Sequence, residues 1–161
     1  MGVQDIMQLH AVLNKIKFLE LENNWGFSFK VDDGSYETAL IFNEEKVGYR
    51  VPGDLENWKS LKYPEVMICP DILDLEHKIV LEYEEETGNK LPGAKLAKKG
   101  HGHPGDPATN RDDRRRSFYV KNKFRFCRVW ESQMFDEDLE WKLFHFLADC
   151  YCNRHTMKYQ Y

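Results

Sequence analysis

Apolar and polar positions recur along this chain with two different periods, and each change of period marks the edge of an element. Val3, Ile6, Met7, Leu13 and Ile16 follow helical spacing, so residues 3 to about 22 are predicted to form an amphipathic helix ended by Asn23-Asn24. From Trp25 the period shortens. Residues 25–31 and 36–42 read as two strands of a hairpin, because the Asp32-Asp33-Gly34 turn offers the positive φ that a tight connection needs. Val47 to Val51 adds a short strand before Pro52-Gly53, and residues 66–75 and 78–84 form a second hairpin with Glu76-His77 near its turn. A last helix opens at Asp136 and aligns Leu139, Leu143, Phe146, Leu147 and Cys150 on one stripe.

The intervening segment reads differently. Gly88, Pro92, Gly93, Gly100, Gly102, Pro104, Gly105 and Pro107 break regular structure, so residues 86–110 are predicted to be a long loop. Thr109 or Asn110 then caps a helix that starts at Arg111, carries Asp112 and Asp113 in its first turn and runs to about Lys121. Asn122 takes the left-handed stop, and Phe124 to Trp130 follows as a buried strand. From residue 64 the predicted order is strand, strand, loop, helix, strand, helix, which makes the chain α/β; no internal repeat is present.

Composition bounds this reading without changing it. A chain of 161 residues, 42% hydrophobic and 14% aromatic, suits one domain with one core. Cys69, Cys127, Cys150 and Cys152 lack the spacing of a disulfide framework. No basic and apolar leader opens the chain, and no apolar run approaches the roughly 20 residues a bilayer span needs. The expectation is a cytoplasmic protein with no membrane partner. His145, Cys150, Cys152 and His155 match none of the usual zinc spacings, and Cys150 belongs to the apolar stripe.

Charge alters the picture more. The net charge of −4 hides a basic stretch from Lys95 to Arg128, with eleven Lys and Arg against three Asp. Carboxylates concentrate elsewhere, above all around Pro70-Asp71 and Glu82-Tyr83-Glu84. Strand side chains alternate, so Glu82 and Glu84 share a face and Tyr83 takes the other. Two like charges side by side repel unless they share a proton or a cation, and three carboxylates converging on a point make an oxygen-ligand site for Mg²⁺ or Mn²⁺. A cationic stretch beside such a cluster suits phosphodiester cleavage, in which cations hold phosphates and carboxylates hold the metal.

The segment from Pro70 to Glu84 resembles the signature of the PD-(D/E)xK nuclease superfamily, with an aspartate after proline and an acidic pair on the next strand. Asn110-Arg111-Asp112-Asp113-Arg114-Arg115-Arg116, leading into Phe126-Cys127-Arg128-Val129-Trp130-Glu131-Ser132, is similar to the C-terminal half of very-short-patch mismatch repair endonucleases. The resemblance covers about residues 64–150. It implies a restriction-endonuclease-like fold: a single domain, residues 1–161, with a central mixed β-sheet flanked by α-helices. Residues 1–60 would form the N-terminal helix and hairpin region, and residues 64–150 the nuclease core.

The resemblance further implies that Asp71 is the central metal ligand and Glu82 the second. Glu84 stands where the superfamily most often carries the lysine that serves the attacking water; it is expected to bind a second metal or to take the proton from that water. Glu20 or Glu22, at the end of the first helix, stands as an additional acidic ligand. Arg111, Arg114 and Arg115 are expected to contact phosphates, Asn110 to cap the helix and then to touch DNA, and His101 and His103 to approach the cut from the loop. The activity implied is Mg²⁺-dependent endonucleolytic hydrolysis of DNA, with a homodimer favoured on two-fold symmetric sites. Two alternatives stand beside it: a non-catalytic nucleic-acid-binding module of the same fold, and an RNA-processing nuclease.

Overall fold

Leu9, Val12, Leu13, Ile16 and Leu19 recur at intervals of three and four and are all buried. Their stripe is why residues Val3–Asn23 form α1, and Asn24 ends it in the left-handed conformation (φ 56°). A computed structural model of the chain describes residues 3–43, 65–85 and 107–152. In order these form α1, β1 (Lys30–Val31), β2 (Leu40–Asn43), β3 (Glu65–Ile68), β4 (Ile72–Asp74), β5 (Ile79–Glu84), α2 (Pro107–Lys121), β6 (Arg125–Trp130), a 3₁₀ turn (Glu131–Gln133) and α3 (Glu137–Tyr151). The chain is mixed α/β. Its four-stranded sheet runs β1-β4-β5-β6, antiparallel except for the parallel pair β5-β6, and β2 pairs with β3 in a separate two-stranded sheet.

Alternation along β5 divides the interior in two. Ile79 and Leu81 join α1 and α3 on one face of the sheet, together with Cys127, Val129 and the α3 stripe Leu139, Leu143, Phe146, Leu147 and Cys150. Val80 joins the opposite face, where Phe118 and Tyr119 of α2 meet Phe124, Phe126, Leu73 and Leu40. Each fully buried aliphatic side chain contributes roughly 1.5–3 kcal/mol, so these two layers hold the sheet between them. Phe42 of β2 stacks on Phe118 at 4.3 Å and so fastens the small sheet to the α2 side. On the other side, the Arg125 guanidinium donates to the carbonyls of Asp149 (3.2 Å) and Cys150 (2.7 Å), occupying acceptors at the end of α3.

Four expectations need correction. The strands either side of Asp32-Asp33-Gly34 do not pair with each other: β1 pairs with β4 and β2 with β3. The turn itself forms, with Asp32 and Asp33 carboxylates accepting from the amides of Gly34 (3.2 Å) and Ser35 (2.9 Å). Val31, however, is drawn into the α1 layer and Leu40 into the α2 layer, so burial parts the two strands. Next, the apolar run 66–75 is not one strand but two, broken at Cys69-Pro70, where proline has no amide to donate. Third, α2 starts at Pro107 instead of Arg111, which places Thr109 and Asn110 inside the helix rather than at a cap. Proline suits a first helical turn, whose amides have no intrahelical partner. Last, the left-handed residue after α2 is Lys123 (φ 61°), while Asn122 uses its side-chain amide to bond the Phe118 carbonyl at 3.0 Å. The expected strand at Val47 to Val51 lies outside the described residues.

Candidate active site

The antiparallel register of β4 and β5 sets Ile72 opposite Leu81, which brings Asp71 beside Glu82 and Tyr83. The Tyr83 amide donates to Asp71 Oδ2 at 2.8 Å, and the Asp32 amide donates to the Asp71 carbonyl at 2.8 Å. Asp71 is thereby fixed at the point where the strand begins. Its carboxyl group hydrogen-bonds that of Glu82, an arrangement that requires one proton between them. Burial pushes the Glu82 carboxyl well above its ordinary range, and the neighbouring Asp71 charge pushes it further. Burial likewise raises Asp71, opposed by the Tyr83 amide, by the bond to Glu82 and by Arg115. Both carboxyls are thus shifted toward their neutral forms, chiefly by burial.

The rest of the site comes from the α2 face and from β6. Tyr119, buried in α2, donates its hydroxyl to Glu82 Oε1 at 2.5 Å, and burial with the adjacent carboxyl raises its own pKa well above the usual phenol. One helical turn earlier, the Arg115 guanidinium lies 3.6 Å from Glu82 Oε2. Glu84 follows on the same face of β5 and meets Arg128 of β6, with Nε and Oε1 3.7 Å apart. Asp71, Glu82, Glu84, Arg115, Arg116, Tyr119, Phe126 and Arg128 together with Tyr83 line a cleft of about 240 Å³. It lies on the α2 side of β5 and β6.

The predicted acidic residues thus reach one cleft as a pair and a single: Asp71 and Glu82 bonded together, Glu84 turned to Arg128. Among the described residues, no three His, Cys, Asp or Glu side chains are gathered as a metal-binding group. The Asp71–Glu82 pair still fits Mg²⁺, which is commonly held by one or two carboxylates and completes its shell with water and phosphate oxygens. Two crowded, desolvated carboxyls kept from ionising by each other are also those a hard cation relieves most.

Glu20 does not join them. It lies on the α1 side of the sheet beside Asp74 and His77, where burial and then the Asp74 charge raise its carboxyl. Asp74 there accepts from the Ser28 amide (2.8 Å), the His77 amide (3.0 Å) and approaches His77 Nδ1 at 2.8 Å, which ties the loop after α1 to the β4-β5 turn. Of the expected phosphate contacts, Arg115 lines the cleft and Arg114 is exposed on α2. The side chains of Asn110 and Arg111, and both His101 and His103, lie outside the described residues.

Five cleft residues were not named as site residues from the sequence: Tyr83, Arg116, Tyr119, Phe126 and Arg128. Arg128 was marked by its charge inside the otherwise apolar run Phe126-Cys127-Arg128-Val129-Trp130, and Tyr119 by its spacing of four from Arg115. No family model, characterised protein or solved structure matches this chain.

Proposed function

We propose that the protein is a metal-dependent endonuclease that hydrolyses phosphodiester bonds in DNA. One observation carries the reading: Asp71 at the start of β4 and buried Glu82 on β5 stand side by side in a cleft lined by Arg115, Arg116 and Arg128. Asp71 and Glu82 would hold Mg²⁺ or Mn²⁺. When bound, such an ion supplies a water acidic enough to attack at neutral pH and absorbs charge on the phosphorus.

The chain's own groups account for the rest. Asp71 and Glu82 would hold such an ion in their ionised forms, so uptake would be favoured as pH rises. Tyr119 keeps Glu82 oriented through its 2.5 Å bond. Arg115 and Arg116 draw the phosphate backbone into the cleft, and Arg114 extends the cationic face along α2. Glu84 faces the reacting region from the same strand as Glu82. The fold proposed is the restriction-endonuclease-like one, and duplex sites with two-fold symmetry favour a homodimer.

A second reading, a nucleic-acid-binding module without catalysis, draws on the ion pairs themselves, since Arg115 and Arg128 already offset the charge of Glu82 and Glu84. Incubating plasmid, single-stranded DNA and structured RNA with and without Mg²⁺ or Mn²⁺ separates these. Metal-dependent cutting of DNA that is lost in Asp71→Ala is the expected result. Binding of all three without cutting selects the module, and cutting of RNA alone selects an RNA-processing enzyme.

A further inference from the structure

We propose that Arg128 is a catalytic residue of this cleft, its guanidinium contacting the phosphate under attack, and that Glu84 is the positioning residue that aims it. The inference rests on the hydrolytic reading above and specifies how that site meets its substrate.

Placement comes first. The parallel register sets Arg128 directly opposite Glu82, between the buried side chains of Phe126 and Trp130. β6 is the edge strand of the four-stranded sheet, and its pairing with β5 from Arg125 to Trp130 fixes where Arg128 stands. The Lys142 ammonium of α3 adds to this, bonding the Arg128 carbonyl while also reaching Gln133 Oε1 at 3.3 Å. The backbone that carries Arg128 is therefore clamped from the opposite side of the sheet. Preorganised charge of this kind lowers a barrier without reorganising when the reaction occurs.

Burial separates the cleft arginines further. The Arg128 side chain is 19% exposed and that of Arg115 is 32%, while Arg116 is exposed to solvent. A cation withdrawn from water interacts more strongly with charge that develops beside it. Such a cation also costs free energy to bury unless it is paired, and Glu84, itself 13% exposed, is its partner. The contact is made through Nε at 3.7 Å, well beyond the ~2.7–2.9 Å of a charge-assisted hydrogen bond. The guanidinium has five donors in a planar fork that matches two phosphate oxygens. A loose ion pair of this sort keeps the fork in the cleft without saturating it.

In the step itself, a water oxygen forms a new bond to phosphorus and one ester P–O bond breaks. The water gives up a proton and the leaving oxygen gains one. Arg128 takes no part in these proton transfers. It supplies hydrogen bonds and positive charge to the non-bridging oxygens.

Two measurements on the full chain test this. Plasmid nicking is followed at saturating DNA with Mg²⁺ or Mn²⁺ for wild type, Arg128→Ala, Arg128→Lys and Arg128→Ala/Glu84→Ala. Binding of a short fluorescein-labelled duplex in EDTA is followed against salt. The expected results are a fall in kcat of about 100-fold or more for Arg128→Ala, partial recovery in Arg128→Lys, and no further loss when Glu84→Ala is added to Arg128→Ala. The salt slope should fall by about one. Thermal melts verify that each variant folds; should Arg128→Ala not fold, Arg128→Lys carries the comparison. Unchanged kcat and unchanged slope overturn the inference, as does a loss confined to KM. Wild type that cuts no DNA with either metal defeats the hydrolytic reading and with it the catalytic role, whereas wild-type cutting with an unaffected Arg128→Ala defeats this inference alone.

Discussion

Replacing Glu82 with glutamine should stabilise the protein, and by an amount that grows with pH. Glu82 is 8% exposed, its carboxyl sits against that of Asp71, and its folded pKa lies well above the ordinary 4.5. The folded protein therefore holds a proton that the unfolded chain releases. Below pH 4.5 both states are protonated and wild type and variant should have similar stability. As pH rises from there toward the folded pKa, the unfolded state binds fewer protons than the folded state, so wild-type stability declines. Glutamine has no such proton to lose. It keeps an oxygen to accept from Tyr119 and gains amide hydrogens to offer Asp71. Each unit by which the folded pKa exceeds the unfolded one is worth about 1.4 kcal/mol at neutral pH. For a chain of this size that corresponds to a rise in Tm of roughly 3–6 °C per unit. Urea unfolding followed by tryptophan fluorescence at a series of pH values reads the difference as a change in midpoint at constant slope. A difference that is flat with pH, or that reverses sign so that wild type gains on Glu82→Gln as pH rises, would show that this carboxyl is not held protonated by its surroundings.

Three further outcomes follow from the same contacts. Tyr119→Phe removes the only hydroxyl bonded to Glu82 Oε1 among the described contacts and should cost about 1–3 kcal/mol in urea unfolding; a neutral change would refute that bond. Asp74→Ala strips the Ser28 and His77 amides of their acceptor and should cost about 2–4 kcal/mol, with faster hydrogen exchange at both amides. Exchange that stays slow would mean that the loop is held by other contacts. Arg116→Ala should lower the salt slope of duplex binding by about one with little change in stability, since its side chain is exposed at the cleft rim; an unchanged slope would remove Arg116 from the phosphate path.

What was legible in the sequence was what depends on near neighbours along the chain. The α3 stripe, its Asp136 cap and the alternation that puts Glu82 and Glu84 on one face all follow from local periodicity, and each is found where it was expected. Asp71 reaches Glu82 because a short hairpin with Glu76-His77 at its turn leaves little choice of register. Partner choice at long range was not legible. The Asp32-Asp33-Gly34 turn has every local feature of a hairpin, yet its two arms are claimed by different layers, Val31 by α1 and Leu40 by α2. Tyr119 meets Glu82 across 37 residues, a contact that depends on how α2 lies on the sheet. Pro107 read as a breaker because proline is excluded from helix interiors, although a helix tolerates it in the first turn. Glu84 drew attention as a charge beside Glu82, but it also pairs with Arg128 of β6, and only the parallel register reveals that contact.

Calorimetric titration of the full chain with Mn²⁺ or Mg²⁺, in two buffers of different ionisation enthalpy, bears most directly on the cation site. If Asp71 and Glu82 give up their shared proton to a divalent ion, uptake should tighten from acid to neutral pH, release about one proton per ion and vanish in Asp71→Asn. Absence of uptake at any pH, or uptake indifferent to that substitution, would contradict the site on which the proposed hydrolysis depends.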